Sequence, residues 1–416
     1  MSSVGENHAS PDVLIVGAGP AGLSAAIELK KRGVAQVVVI EREREAGGVP
    51  RHCFHPGFGL QDLRRNLTGP NYAQRLVSKA QDLGVEIATS STVNAIAPDK
   101  TTRVTSPHGI LDLHPRFVLL TTGVRERPRS ARLVPGTRPA GVFTTGQLQQ
   151  WVGLKKFPVG TRALVVGAEH ISFSAVQTLR HAGVSCVAMV TDHPRHQSLW
   201  GASLLIRAVY QAPLLLGTEL IEILGTHRVE GALLRNVASG SVEKIDVDTI
   251  VFTGDWVPDA ELAYRSAIEI SPLTRGPMVE SDGRTSVDQI FAAGNLVQPA
   301  ETAGIAARRG TEAAMHIANQ IYQPIVAQRI VIPLECDESL LWVTPQRLVL
   351  NEELERLYVR TRLFSSKKFL AVRQGNRVLG RYRLRHTSPN RGLSVPGAWS
   401  KDVEKESGPV RIALCD

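Results

Sequence analysis

The 416-residue sequence predicts an α/β protein in which one three-layer unit is inserted into another of the same kind, and a small β-rich domain closes the chain. Three observations carry this. An apolar strand, a glycine-rich turn, a helix and a second apolar strand follow one another from Asp12 to Glu41. The same order returns between Thr161 and Val190. Beyond residue 325 apolar residues alternate with polar ones, the period of strands. The length also exceeds what a single hydrophobic core supports, so two or three domains are expected.

The first unit begins with Val13 to Val16, which runs into Gly17, Gly19 and Gly22, with Pro20 and Ala21 between the last two. Three glycines at this spacing permit a tight turn, close approach of backbone to a pyrophosphate, and tight packing of the next helix on the strand. The helix start then offers free N–H groups and the positive end of its dipole to the phosphates. Val37 to Ile40 forms the second strand and ends at Glu41, where a carboxylate can accept hydrogen bonds from ribose hydroxyls. This is a Rossmann-like dinucleotide cradle, and FAD and NAD both fit it.

The stretch Ala46 to Leu60 is dense in glycine and proline and reads as a loop that runs past the cofactor, opening with Gly47, Gly48 and Val49. Asn71 to Leu83 has helical spacing, and Val85 to Ala88 with Ser91 to Ile96 reads as a pair of short strands. Arg116 to Gly123 reads as a buried strand ending in Thr121, Thr122 and Gly123, small residues that let backbone approach a ligand. A connecting region from Pro128 to Pro158 carries a helix at Thr145 to Val152.

The second cradle departs from the first at its phosphate-binding point. Glu169 stands where the second glycine would be and Ser172 replaces the third. A carboxylate about 4 Å from a phosphate charge costs roughly 4 kcal/mol at an effective dielectric of 20, close to a thousandfold in affinity. Asp192 occupies the place of a ribose-binding acid, but Glu169 obstructs the phosphates themselves, so NAD(P) binding is not expected. Leu214 to Asp255 then reads as strands with a turn at Ala238 to Ser241, and Gly283 to Asn295 supplies one more buried strand. A helix from Glu301 to Gln320 opens with Thr302 and Ala303. The strands of the last domain include Arg329 to Ile332, Phe369 to Arg373 and Arg377 to Arg385.

Composition narrows the chemistry. The four cysteines, Cys53, Cys186, Cys336 and Cys415, form no Cys-x-x-Cys pair, which argues against dithiol chemistry, a disulfide framework and a metal or iron–sulfur site. The first eleven residues have no basic start followed by an apolar run, and the greasiest segment, Ala202 to Leu216, contains Arg207 and Pro213, so a cytoplasmic protein is expected. The net charge is +9, and the excess is concentrated between Arg360 and Arg391, where no acid occurs. Such a face suits an acidic partner or an anionic membrane surface. Nucleic acid is not expected, because only a few aromatic residues, Phe364, Phe369 and Tyr382, accompany the charge.

Taken in order, the first cradle with Glu41, the Thr121–Gly123 strand end, the inserted second cradle and Ile290 to Asn295 resemble the two-dinucleotide-binding-domain flavoproteins, the pyridine nucleotide-disulfide oxidoreductase-like family. The resemblance implies FAD in the first cradle, with Gly294 and Asn295 near the ribityl and phosphate part and the Thr302–Ala303 helix start at the pyrimidine end of the ring. The implied cofactor set is Gly17, Gly19, Pro20, Ala21, Gly22, Glu41, Arg42, Gly47, Gly48, Val49, Val93, Thr122, Gly123, Gly294, Asn295, Thr302 and Ala303. It also implies a discontinuous FAD domain (11–127 and 283–325), a degenerate NAD(P)-type domain (128–282) and a C-terminal domain (326–416).

A narrower likeness lies in Gly47 to Leu60, which is similar to a loop in the flavoprotein subunits of opine, hydroxyproline and proline dehydrogenases, of hydrogen cyanide synthase and of the companion of glycerol-3-phosphate dehydrogenase. That likeness implies one flavoprotein subunit of a heteromeric dehydrogenase or oxidase acting on a small amine, amino-acid or hydroxy substrate, with a second flavoprotein as partner. In this loop Cys53, His52 and His55 are the candidate catalytic residues. A cysteine flanked by basic groups is expected to have a depressed pKa and to touch the flavin, and a histidine to move the proton that accompanies the hydride. The alternatives are a stand-alone NAD(P)H-dependent flavin reductase and a non-catalytic, FAD-stabilised scaffold subunit.

Overall fold

The computed structural model describes residues 10–198, 211–299, 301–323, 329–389 and 391–416. Residues 202–210 of the greasy segment, and the Lys367 side chain of the basic stretch, lie outside what is described.

The first sheet has five parallel strands in the order Ile290–Ala292, Phe117–Leu120, Val13–Val16, Val37–Ile40 and Glu86–Ala88. Its three central strands are buried along their whole length, as a parallel sheet covered on both faces requires. On one face the helices Pro20–Lys31 and Ala303–Tyr322 cross in backbone contact. A Cβ at Gly310 would stand 2.0 Å from the carbonyl oxygen of Ala21, so only glycine allows that approach. An antiparallel three-stranded sheet, Thr92–Ile96, Thr102–Ser106 and Gly109–Leu113, covers the other face. The strands expected to pair with each other, Val85 to Ala88 and Ser91 to Ile96, therefore belong to different sheets.

The inserted unit repeats this plan. Leu214–Leu215, Ser185–Val190, Arg162–Val166, Thr249–Phe252 and Val142–Thr144 form a parallel sheet, and Thr218–Leu224, Gly231–Asn236 and Val242–Ile245 form its antiparallel companion. Two short strands, Val124–Glu126 and Trp256–Pro258, pair where the chain enters and leaves this unit. Beyond them Ala260, Ala263, Ile268 and Val279 pack with Val16, Val118, Leu120 and Ile290 in a core of the first unit. These residues fall within the span expected for the insertion. They return because they supply the apolar cover that Val118, Leu120 and Ile290 need.

The C-terminal domain holds a five-stranded mixed sheet and a three-stranded antiparallel sheet around their own core, which includes Leu348, Leu357, Leu370 and Val410. Among the described residues no helix is long and apolar enough to cross a membrane, and no group of His, Cys, Asp and Glu could hold a metal.

Candidate functional site

The first cradle has the backbone geometry that its glycines foretell. Gly17 has φ +104°, and a Cβ there would lie 2.7 Å from the Thr121 carbonyl oxygen. At Gly22 a Cβ would lie 2.0 Å from Gly17 O and 2.7 Å from Thr121 Oγ1, so helix, turn and strand end are pressed together. A Cβ at Gly19 meets no described atom within 4 Å. Gly19 is also the N-cap of the helix Pro20–Lys31, and no side chain caps that end. The cradle thus combines an open approach with uncapped N–H groups, the arrangement that binds a phosphate.

Glu41 is buried at the end of its strand. Its Oε2 accepts from Ala18 N at 2.8 Å and its Oε1 from Glu43 N at 2.8 Å, leaving lone pairs on both oxygens for hydroxyl donors. Gly47 and Gly48 have φ +122° and +64°, and Gly47 N donates to Ala18 O at 2.8 Å, which brings the loop across the cradle. A Cβ at Gly48 would stand 2.9 Å from Gly19 Cα. Val49, next along, is half exposed.

Across the cradle, Thr122 Oγ1 donates to Asp259 O at 2.8 Å, and a Cβ at Gly123 meets no described atom within 4 Å. Val93 is partly buried and packs into two cores. Gly294 has φ +72° and lies so near the first helix that a Cβ there would be 2.7 Å from Ala21 Cβ. The Asn295 amide clamps Glu301, donating from Nδ2 to Glu301 O at 3.1 Å and accepting from Glu301 N at 3.2 Å. Thr302 caps the helix Ala303–Tyr322, accepting from Ile305 N, and donates to Gln61 Oε1 at 2.7 Å. Gln61 therefore belongs to this end of the site, though no sequence pattern marks it. Arg42 is exposed and pairs at 2.9 Å with Asp259, the residue whose carbonyl accepts from Thr122.

The Gly47–Leu60 loop corrects the reading of Cys53. The thiol is almost fully buried, 3.3 Å from Gln149 Oε1 and 3.4 Å from Val49 O. Burial, and then the Glu126 carboxylate, push it up to about 12, the reverse of a depressed pKa. Arg51, its basic neighbour in sequence, turns to the Glu45 carboxylate at 3.0 Å. Cys53 is a neutral thiol that ties the loop to the helix Thr145–Gln149 of the inserted unit. His52 is buried and held down to about 4, by burial first and Arg51 second, so it is neutral at pH 7. His55 is half-buried, with Nδ1 2.9 Å from Pro56 O and its ring against Phe58. Burial lowers its pKa, partly offset by the Pro56 carbonyl. His55 is the one of the three with an accessible face.

The second cradle is filled by its own side chains. Glu169 is the N-cap of the helix His170–His181 and makes a capping box with Ser172. Its Oε2 accepts from Ser172 Oγ at 2.7 Å and Thr253 Oγ1 at 2.9 Å. A Cβ at Gly254 would lie 2.7 Å from Glu169 Oε1, so the carboxylate reaches across to the facing strand end. Arg132 closes the other side, donating to Thr253 O at 3.1 Å and Gly254 O at 2.8 Å. Asp192 stands exposed at its strand end.

The family model for pyridine nucleotide-disulphide oxidoreductases matches residues 11–316. The chain belongs to that family. It is therefore an oxidoreductase of an FAD-using family. An opine oxidase subunit of Agrobacterium tumefaciens (strain Ach5) is 26% identical over 340 residues, 74% of this chain and 64% of that protein. The chain thus spans less than two thirds of that relative's length. A ferredoxin–NADP reductase of Picrophilus torridus is 22% identical over 290 residues, 68% of this chain and 85% of the relative. Among solved structures, T. acidophilum thioredoxin reductase has a TM-score of 0.65 at 20% identity, covering 76% of this chain and 99% of its own. L-proline dehydrogenase from P. horikoshii has a TM-score of 0.58 at 18% identity, covering 75% of this chain and 56% of its own. These structural likenesses carry the two-unit fold.

Proposed function

We propose that the chain is the FAD-binding subunit of a heteromeric dehydrogenase or oxidase for a small amine, amino-acid or hydroxy substrate, and that FAD is the single dinucleotide it binds. The observation behind this is the contrast between the cradles: the first offers an open Gly19 face and an uncapped helix end, whereas Glu169, Ser172 and Thr253 occupy the second. Bound flavin supplies hydride and electron transfer at its N5 position. The chain's own part is to seat the pyrophosphate at Gly17–Gly22, to accept ribose hydroxyls at Glu41, and to exclude water with the Gly47–Leu60 loop. His55, the half-buried histidine of that loop, is the group proposed to take up or release a proton. A partner subunit, which we take to be a second flavoprotein, fits the likeness to a subunit of opine oxidase, and the basic C-terminal strands Ser365–Gln374 and Arg377–Thr387 are the surface proposed for it.

The competing reading, a stand-alone NAD(P)H-dependent flavin reductase, draws on the similarity to ferredoxin–NADP reductase. Anaerobic mixing with stoichiometric NADH separates the two. Flavin that stays oxidised fits the proposal, and rapid bleaching overturns it. A scaffold role is tested by reconstituting the native complex with flavin-free protein, which on our reading supports no turnover.

A further inference from the structure

The C-terminal domain reaches the end of the helix that the proposed site turns toward the flavin. Glu301 immediately precedes the N-cap Thr302 of Ala303–Tyr322. Its backbone is clamped on both sides by the Asn295 amide. Its carboxylate lies 3.0 Å from Arg360 Nη2, a residue of the C-terminal strand Arg356–Thr361, and the two side chains are 6% and 5% exposed. The Arg360 guanidinium also stands 5.1 Å from the centre of the Trp342 ring. The strand Gly392–Pro396 presses on the same carboxylate, since a Cβ at Gly392 would be 1.9 Å from Glu301 Oε1. Glu301 thus joins, through its backbone, the Gly294–Asn295 turn and the helix start and, through its carboxylate, two C-terminal strands.

Burying two charges is costly, and a well-packed apolar pair of similar volume often holds two surfaces together as well or better. The pair therefore asks for a reason beyond adhesion. An unneutralised carboxylate one residue before the helix start would oppose the positive end of the dipole there, and with it any negative charge that a reduced flavin places near that end. The geometry points to Arg360 as a positioning residue for the cofactor. It fixes Glu301, and through it the helix start and the Asn295 turn, and it cancels the carboxylate's charge, so that the C-terminal domain becomes part of the flavin site.

This inference rests on FAD occupying the first cradle, and the experiment keeps the two apart. Full-length wild type, Glu301→Gln, Arg360→Met and Val410→Ala are compared for FAD dissociation constant, by titration of apo-protein, and for flavin midpoint potential. Val410 is fully buried in the C-terminal core and serves as a control for lost stability. Arg360→Met should weaken FAD binding at least tenfold. Glu301→Gln keeps the shape but removes a negative charge beside the helix start, and should raise the midpoint potential. Each tenfold gain in relative affinity for reduced flavin appears as about 30 mV for this two-electron couple. Val410→Ala should lower the melting temperature and move neither quantity. Glu301→Gln and Arg360→Met with wild-type affinity and potential would overturn the inference, as would equal changes in the Val410→Ala control. Wild-type protein that binds no FAD would overturn the cofactor assignment itself.

Discussion

Replacing Glu169 by glycine should open the second cradle to a nicotinamide dinucleotide. In the folded protein the carboxylate is held by Ser172 Oγ at 2.7 Å and Thr253 Oγ1 at 2.9 Å, at the helix start where a pyrophosphate would arrive. At about 4 Å from a phosphate and an effective dielectric of 20, its charge opposes binding by roughly 4 kcal/mol, close to a thousandfold. Replacing the N-cap by glycine, itself a tolerated cap, costs only a few tenths of a kcal/mol, a fall of about one degree in melting temperature. Fluorescence titration with NADH should therefore show Glu169→Gly binding about two to three orders of magnitude more tightly than wild type. Glu169→Gln, which removes charge but not bulk, should fall between them. If wild type already binds NADH as well as the glycine variant, the self-filled cradle has been misread.

Two further outcomes follow from the loop chemistry. Because burial and Glu126 hold the Cys53 thiol up to about 12, mass spectrometry should find it unmodified by iodoacetamide in native protein at pH 8 and modified once the chain is unfolded; rapid native labelling would contradict the neutral, buried thiol. His52 is held down to about 4 in the fold against an ordinary 6.5, so the unfolded chain binds more protons between these values. Its contribution is complete above pH 6.5 and is lost as pH falls toward 4, up to about 3 kcal/mol, and urea melts of His52→Gln should show a flatter acid limb than wild type.

Backbone constraints were the most legible part of the sequence. Gly17 and Gly22 announce their turn because no other residue fits the contacts with Thr121 and the Gly17 carbonyl. Glu169 announces the altered second cradle by a single change of charge. Features decided by burial were not legible. Arg51 and His52 precede Cys53 in sequence, but in space Arg51 pairs with Glu45 and the thiol is buried against Gln149 and Val49, so a local reading of charge gave the wrong sign. Arg360 counted toward a surface basic stretch and is instead buried against Glu301. The short strands Glu86–Ala88 and Thr92–Ile96 carry too few residues to declare their partners, which the stacking of two sheets selects.

The pairing of Ile290–Ala292 with Phe117–Leu120 joins residues on either side of the whole inserted unit. During synthesis the earlier strand therefore emerges with one edge open, and it waits until the insertion has been made before its neighbour arrives. Contacts of such long sequence separation form late, and open edges are prone to wrong pairing. The insertion can close its own parallel sheet first, since all of that sheet's strands lie between residues 142 and 252. On the proposed assignment of FAD to the first cradle, cofactor uptake is expected to wait for the last strand of its sheet and for the helix Ala303–Tyr322.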